Sequence, residues 1–88
     1  MIDLNRAVAV SMAAGPAAGL ALVETLAAEP ALRHYHLLPA VRGDLLWKLD
    51  RHDEARIEFE RAAALTRNER ERALLMARAA KSSAGQDQ

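Results

Sequence analysis

The sequence predicts an all-α fold of antiparallel helical hairpins stacked as an α-solenoid, about two repeats followed by a C-terminal capping helix. Three observations carry that prediction. Apolar residues recur at three- and four-residue steps, as in Leu38, Val41, Leu45 and Leu49, and no useful length alternates as a strand would. Small residues at Gly19, Gly43 and Ala55 fall where antiparallel helices have to touch backbone to backbone. Finally, the pattern repeats: Gly19 and Ala55 are equivalent at a separation of 36 residues, as are Pro16 and His52, Val23 and Phe59, and Leu26 and Ala62.

Each element has local signals. Asp3 can N-cap a first helix reaching about Ala14. Gly15-Pro16 stops that helix and opens a second, which runs to about Ala28 with Gly19, Leu22, Val23 and Leu26 on one face. Glu29-Pro30 ends it, and a link through Arg33 and His34 leads to a third helix starting near His36. Pro39 falls in that helix's first turn, where no backbone donor is needed. Asp50-Arg51-His52 is the next turn. Asp53 and Glu54 favour the dipole of a fourth helix, which runs to about Thr66 and turns Ala55, Phe59 and Ala62 inward. Asn68 caps a fifth helix, and Glu71 can complete a capping box. Leu74, Leu75 and Ala79 are then available to cover the end of the stack. Residues 1–80 form the helical domain, and residues 81–88 read as a polar tail expected to be disordered.

Composition narrows the function. The 88 residues carry twelve basic and twelve acidic side chains, so net charge offers no attraction to nucleic acid or an anionic membrane. The absence of cysteine excludes disulfides and thiolate metal sites. The longest apolar stretch, about Ala17 to Ala28, is too short for a bilayer and is broken by Glu24. The start lacks the features of an export signal, which points to the cytoplasm. The charges are also uneven: residues 1–44 hold seven of the twenty-four, so the first two helices lack the charged stripe of a solvated helix. They are expected to face further protein.

The run Pro39 to Arg67 contains Gly43, Ala55, Phe59 and Ala62, the small-residue skeleton of a tetratricopeptide repeat, whose period is roughly 34 residues. A more specific resemblance rests on Leu4-Asn5-Arg6-Ala7-Val8-Ala9-Val10 and Gly15-Pro16-Ala17-Ala18-Gly19-Leu20-Ala21-Leu22. Tyr35-His36-Leu37-Leu38-Pro39-Ala40-Val41-Arg42-Gly43-Asp44-Leu45-Leu46 and the Asn68 to Arg72 segment extend it. Together these runs resemble the C-terminal tetratricopeptide-like extension of one group of bacterial extracytoplasmic-function RNA polymerase sigma factors, over about residues 3–80. The resemblance implies a non-catalytic regulatory domain at the end of a longer helical array. Its partners would be the upstream promoter-recognition modules or RNA polymerase, and it would stand in for a separate anti-sigma protein. The chain departs from that group at Asp50, where glycine is usual, and over Ala73 to Ala80, where arginine-rich helix endings are usual.

Tetratricopeptide arrays present the first helix of each hairpin on a concave face. That arrangement makes Asn5, Val8, Met12, Asp44, Trp47 and Lys48 the candidate protein-binding groove, with Gly19, Gly43, Ala55, Phe59 and Ala62 as the inter-helix packing residues. Trp47 has two readings: an aromatic anchor in the groove, or a side chain packed against the fifth helix. His34, His36 and His52 are not spaced as metal ligands. Ser11, the one serine outside the tail, has no base placed to activate it. No catalytic, cofactor or metal site is therefore expected. Neither is direct nucleic-acid or membrane contact, although the isolated segment is expected to form a homodimer through its first hairpin. A free-standing tetratricopeptide adaptor binding a peptide in its groove is the alternative reading.

Overall fold

The computed structural model describes residues 4–32 and 35–86, with side chains described as far as Ser82. The expected Asp3 cap, Arg33, His34 and the last two residues lie outside this range. The described chain is helical throughout: α1 (Leu4–Ala14), α2 (Pro16–Ala27), a 3₁₀ turn (Pro30–Leu32), α3 (Leu37–Lys48), α4 (His52–Leu65) and α5 (Glu69–Gln86). Consecutive helices pack on one another, and α3 also receives α2 on its other side. The molecule measures 36 × 29 × 18 Å. Its short dimension suits two layers of helices at a spacing of about 8–10 Å.

One residue separates α1 from α2. Gly15 has φ 102 and ψ 160, a combination open in practice to glycine alone. Its N–H donates to the Ser11 carbonyl at 3.0 Å, and its own carbonyl accepts from Gly19 N–H at 3.3 Å. Pro16 then opens α2, where its missing N–H costs nothing. So tight a reversal forces α2 straight back along α1, and Gly19 is what lets it lie there. A Cβ on Gly19 would stand 2.5 Å from Ser11 Cβ and 2.9 Å from the Ala7 carbonyl oxygen.

The second hairpin uses a different turn. Leu49 ends α3, and Asp50 follows with φ 63. Asp50 N–H donates to Trp47 O at 3.0 Å and Arg51 N–H to Leu46 O at 2.9 Å, the paired bonds of a Schellman motif. The turn requires a left-handed residue, a conformation open to glycine without penalty that aspartate tolerates at a cost. Arg51 then bonds the Glu54 carboxylate through Nε at 2.6 Å and Nη2 at 2.8 Å, and this guanidinium holds the Glu54 carboxyl below its ordinary range. Within the hairpin, Gly43 receives the Phe59 ring, whose Cε1 would lie 2.9 Å from an added Cβ.

The turn from α4 to α5 departs from a simple capping box. Asn68 Oδ1 accepts from Glu71 N–H at 3.0 Å, as the sequence predicts. The Glu71 carboxylate does not reach back to the Asn68 amide, however. It accepts from Thr66 Oγ1 at 3.0 Å and lies against His36 Nε2, while Thr66 Oγ1 accepts from Asn68 N–H at 3.2 Å. Arg72 bonds the Ala63 carbonyl at 3.1 Å and the Thr66 carbonyl at 2.8 Å, satisfying acceptors left open at the end of α4.

The core joins Leu20, Val23 and Leu26 of α2, Leu38, Leu45 and Leu46 of α3, Ala55, Phe59, Ala62 and Ala63 of α4, and Leu75 and Ala79 of α5. Three of the four residue pairs that the 36-residue offset equates (Gly19 with Ala55, Val23 with Phe59, Leu26 with Ala62) are buried in both hairpins, and the fourth, Pro16 with His52, is half-buried in both. Polar groups clasp the hairpins as well. Arg42 bonds Glu24 of α2 and reaches Glu58 of α4 at 3.1 Å, and Arg61 meets the same Glu58 oxygen at 3.1 Å. Glu58 is buried, so the two guanidiniums supply the charge that its burial requires.

Two expectations need correction. Leu74 does not cover the stack: it is 53% exposed, and Leu75 and Ala79 do the covering. The polar segment from Lys81 does not leave the helix at once. α5 continues to Gln86, and Ser82 is fully buried with its hydroxyl bonded to the Arg78 carbonyl at 3.0 Å. Serine and alanine are acceptable in a helix whose inner face is already docked, and local hydrogen bonding satisfies the buried hydroxyl.

Two outcomes follow. Gly19→Ala and Gly43→Ala each gain helix propensity of about 1 kcal/mol and lose more by overpacking, typically about 1–3 kcal/mol. Urea denaturation will show both destabilised, Gly19→Ala the more, because its obstacle includes α1 backbone whereas Gly43 faces a ring that can tilt. Asp50→Gly will raise stability by roughly 0.5–1 kcal/mol by relieving the left-handed strain, read from the same transition. An unchanged or lower midpoint would refute that account of the turn.

Candidate functional site

A groove of about 350 Å³ opens between α1 and α3. Val8 and Met12, one turn apart on α1, form one wall, and Leu37 and Val41, one turn apart on α3, contribute to the other. Val8 is 38% exposed and Met12 82%, so this wall is open to solvent. Asp44 and Lys48 continue the α3 side, paired at 3.2 Å, and Arg78 of α5 joins the lining.

Four of the six candidate groove residues therefore come together: Val8, Met12, Asp44 and Lys48. Asn5 is exposed on α1 and is not part of this lining. Trp47 lies one step over, in an adjoining cleft of about 150 Å³ that also contains Asp44, Phe59, Arg78 and Lys81. Its indole meets the His52 ring edge-on at 5.5 Å, and the Lys81 ammonium stands 5.4 Å from its centroid. Of the two readings of Trp47, the contact with α5 is the one observed; it borders the groove from a packed position. The packing residues Gly19, Gly43, Ala55, Phe59 and Ala62 are all buried between helices.

Arg78 and Lys81 were the residues that sequence reasoning passed over. A signal was there: after Arg72, they are the only charged residues up to Gln86, and both are basic. Only the fold shows that α5 carries them past the end of α3 to the groove.

A second depression, of about 380 Å³, lies between α2, α3 and α4. Its charged residues are Glu24, Arg42, Glu58 and Arg61, two of each sign and all mutually paired. Hydrogen bonding to Glu24 holds the Arg42 guanidinium more firmly protonated than usual. This cleft is electrostatically closed. The α1–α3 groove is not.

The two described histidines serve packing and turns: His36 meets Glu71, and His52 starts α4 against Trp47 with Nε2 3.5 Å from Asp50. Ser11 donates to the Val8 carbonyl at 2.7 Å, an internal helix bond. No described helix is long and apolar enough to cross a membrane.

Among curated proteins the chain is similar to an uncharacterized protein of Rhizobium meliloti (strain 1021), with 47% identity over 75 residues. The match covers 85% of this chain, and the chain spans 17% of the length of that relative. No family model matches the chain. No solved structure matches it.

Removing the Lys81 ammonium will uncover the indole. Lys81→Ala is expected to shift Trp47 fluorescence to longer wavelength without loss of helical circular dichroism. An unchanged emission spectrum would mean that Trp47 is not covered from α5 in solution.

Proposed function

We propose that this segment is a non-catalytic protein-interaction domain of tetratricopeptide type, acting in the cytoplasm as the regulatory C-terminal extension of a bacterial sigma factor. It would contact the promoter-recognition modules or RNA polymerase through its helix surfaces. The sequence runs that resemble the sigma-factor extension support the particular assignment. The equivalence of buried positions between the two hairpins supports the repeat type.

The observation that carries the reading is the state of α1. Asn5, Arg6, Val8, Ala9, Met12, Ala13 and Ala14 are exposed, so water meets most of the helix circumference, yet Arg6 is its single charge. A helix meant for solvent carries a polar face. One that continues a stack carries small apolar residues and waits for a neighbour. The long relative, in which the matching stretch is a minor part, supplies room for such a neighbour.

Two measurements test the proposal. Deleting residues 1–80 from the full sigma-factor chain is expected to abolish transcription from its cognate promoter, and unchanged transcription would reject the regulatory role. In parallel, Ala13→Cys should react readily with a maleimide in the isolated segment and be protected in the full chain. Equal reactivity in both would show that nothing stacks on α1.

A further inference from the structure

We infer that the α1–α3 groove takes an acidic peptide segment of a partner protein, which seats an apolar side chain against Val8, Met12 and Val41 and sets carboxylates against Arg78 and Lys81. The inference rests on the interaction-domain reading and adds the chemistry of the partner.

The charge balance of the groove is the first ground. The whole chain is neutral, with twelve charges of each sign, but the groove and the adjoining cleft together hold Lys48, Arg78 and Lys81 against Asp44 alone. Asp44 is already answered by Lys48 at 3.2 Å. Arg78 borders both depressions, and among the described residues its guanidinium has no ion pair or side-chain hydrogen bond. Lys81 is held over the Trp47 ring, which attracts a cation without neutralising it. Two cations, about one helical turn apart on α5, therefore stand without a carboxylate, Arg78 in the lining of the apolar trough and Lys81 in the adjoining cleft.

The trough supplies the second ground. A volume of about 350 Å³ lies at the small end of the range for ligand sites, about 300–1,000 Å³, and suits a side chain or two rather than a whole helix. Its methionine is flexible and 82% exposed, a residue able to shape itself to an incoming apolar group. Nucleic acid fits less well, because a phosphate backbone needs a row of cations and would meet the Asp44 carboxylate and an apolar wall. Carboxylates beside a leucine- or phenylalanine-like anchor match both halves at once.

The test is a random-peptide display selection against the 88-residue protein, followed by fluorescence anisotropy with the enriched peptides and resonance mapping. The expected result is enrichment of aspartate and glutamate next to a large apolar residue, with shifts at Val8, Met12, Val41 and Arg78. Arg78→Glu should weaken binding about tenfold, and added salt should weaken it further. Met12→Glu should weaken it as well, while Ile57→Glu on the exposed face of α4 should not, with circular dichroism as the check that all three variants remain folded. Enrichment of basic or uncharged peptides would overturn the inference. So would affinity indifferent to Arg78→Glu, displacement by a single-stranded oligonucleotide, or a Met12 face occupied by a second copy of the chain. Acidic peptides bound here together with unchanged transcription on deletion would sink the sigma-factor role and leave the groove. Lost transcription with no acidic preference would do the reverse.

Discussion

Close approach of antiparallel helices is the constraint on which this molecule depends. Between α1 and α2 the space for a side chain at Gly19 is taken by Ser11 and the Ala7 carbonyl. Between α3 and α4 the corresponding space at Gly43 is filled by the Phe59 ring. A backbone approach as near as that at Gly19 buries area with few large side chains, so a chain rich in alanine can still build a core. The leucines are then free for the seam between hairpins, where Leu26, Leu45 and Leu46 are almost wholly enclosed.

Charge is used differently on the two sides of that stack. On the side of α2 and α4, every carboxylate in the cleft has a guanidinium: Glu24 and Glu58 share Arg42, and Arg61 adds to Glu58. Such a network holds surfaces together but leaves little for a ligand. Around the α1–α3 groove the cations exceed the carboxylates and the walls are apolar. The paired charges and the open groove thus lie against different faces of α3. This is physically economical, since a partner binding at the groove need not disturb the ion pairs that clasp the hairpins.

The turns show how local chemistry gives way to tertiary demands. Asn68 and Glu71 have the spacing of a capping box, and half of it forms. The other half is lost because Thr66 and His36 reach the Glu71 carboxylate first, linking the α4–α5 turn to the start of α3. Arg72 likewise leaves its own helix to close carbonyls of α4. Asp50 accepts a left-handed conformation because its own N–H and that of Arg51 bond back to the Trp47 and Leu46 carbonyls and hold the turn.

The sequence alone was enough for the helices, their order and the places where turns separate them. Periodicity, Gly15-Pro16, Pro39 and Asn68 are signals carried within a few residues, and helix formation answers to such local signals. The missing side chain at Gly19 also announced where two backbones would meet, whereas Gly43, expected to make the same kind of contact, receives the Phe59 ring instead. Tertiary structure alone decided the far end of α5, which stays helical because Ser82 is buried against the stack. It also decided that Trp47 turns toward Lys81, and that Arg78 arrives beside Val8 and Met12, some seventy residues away in the chain. Those outcomes depend on how one helix is rotated against another, a quantity fixed by the summed fit of many side chains and written in no short stretch of sequence.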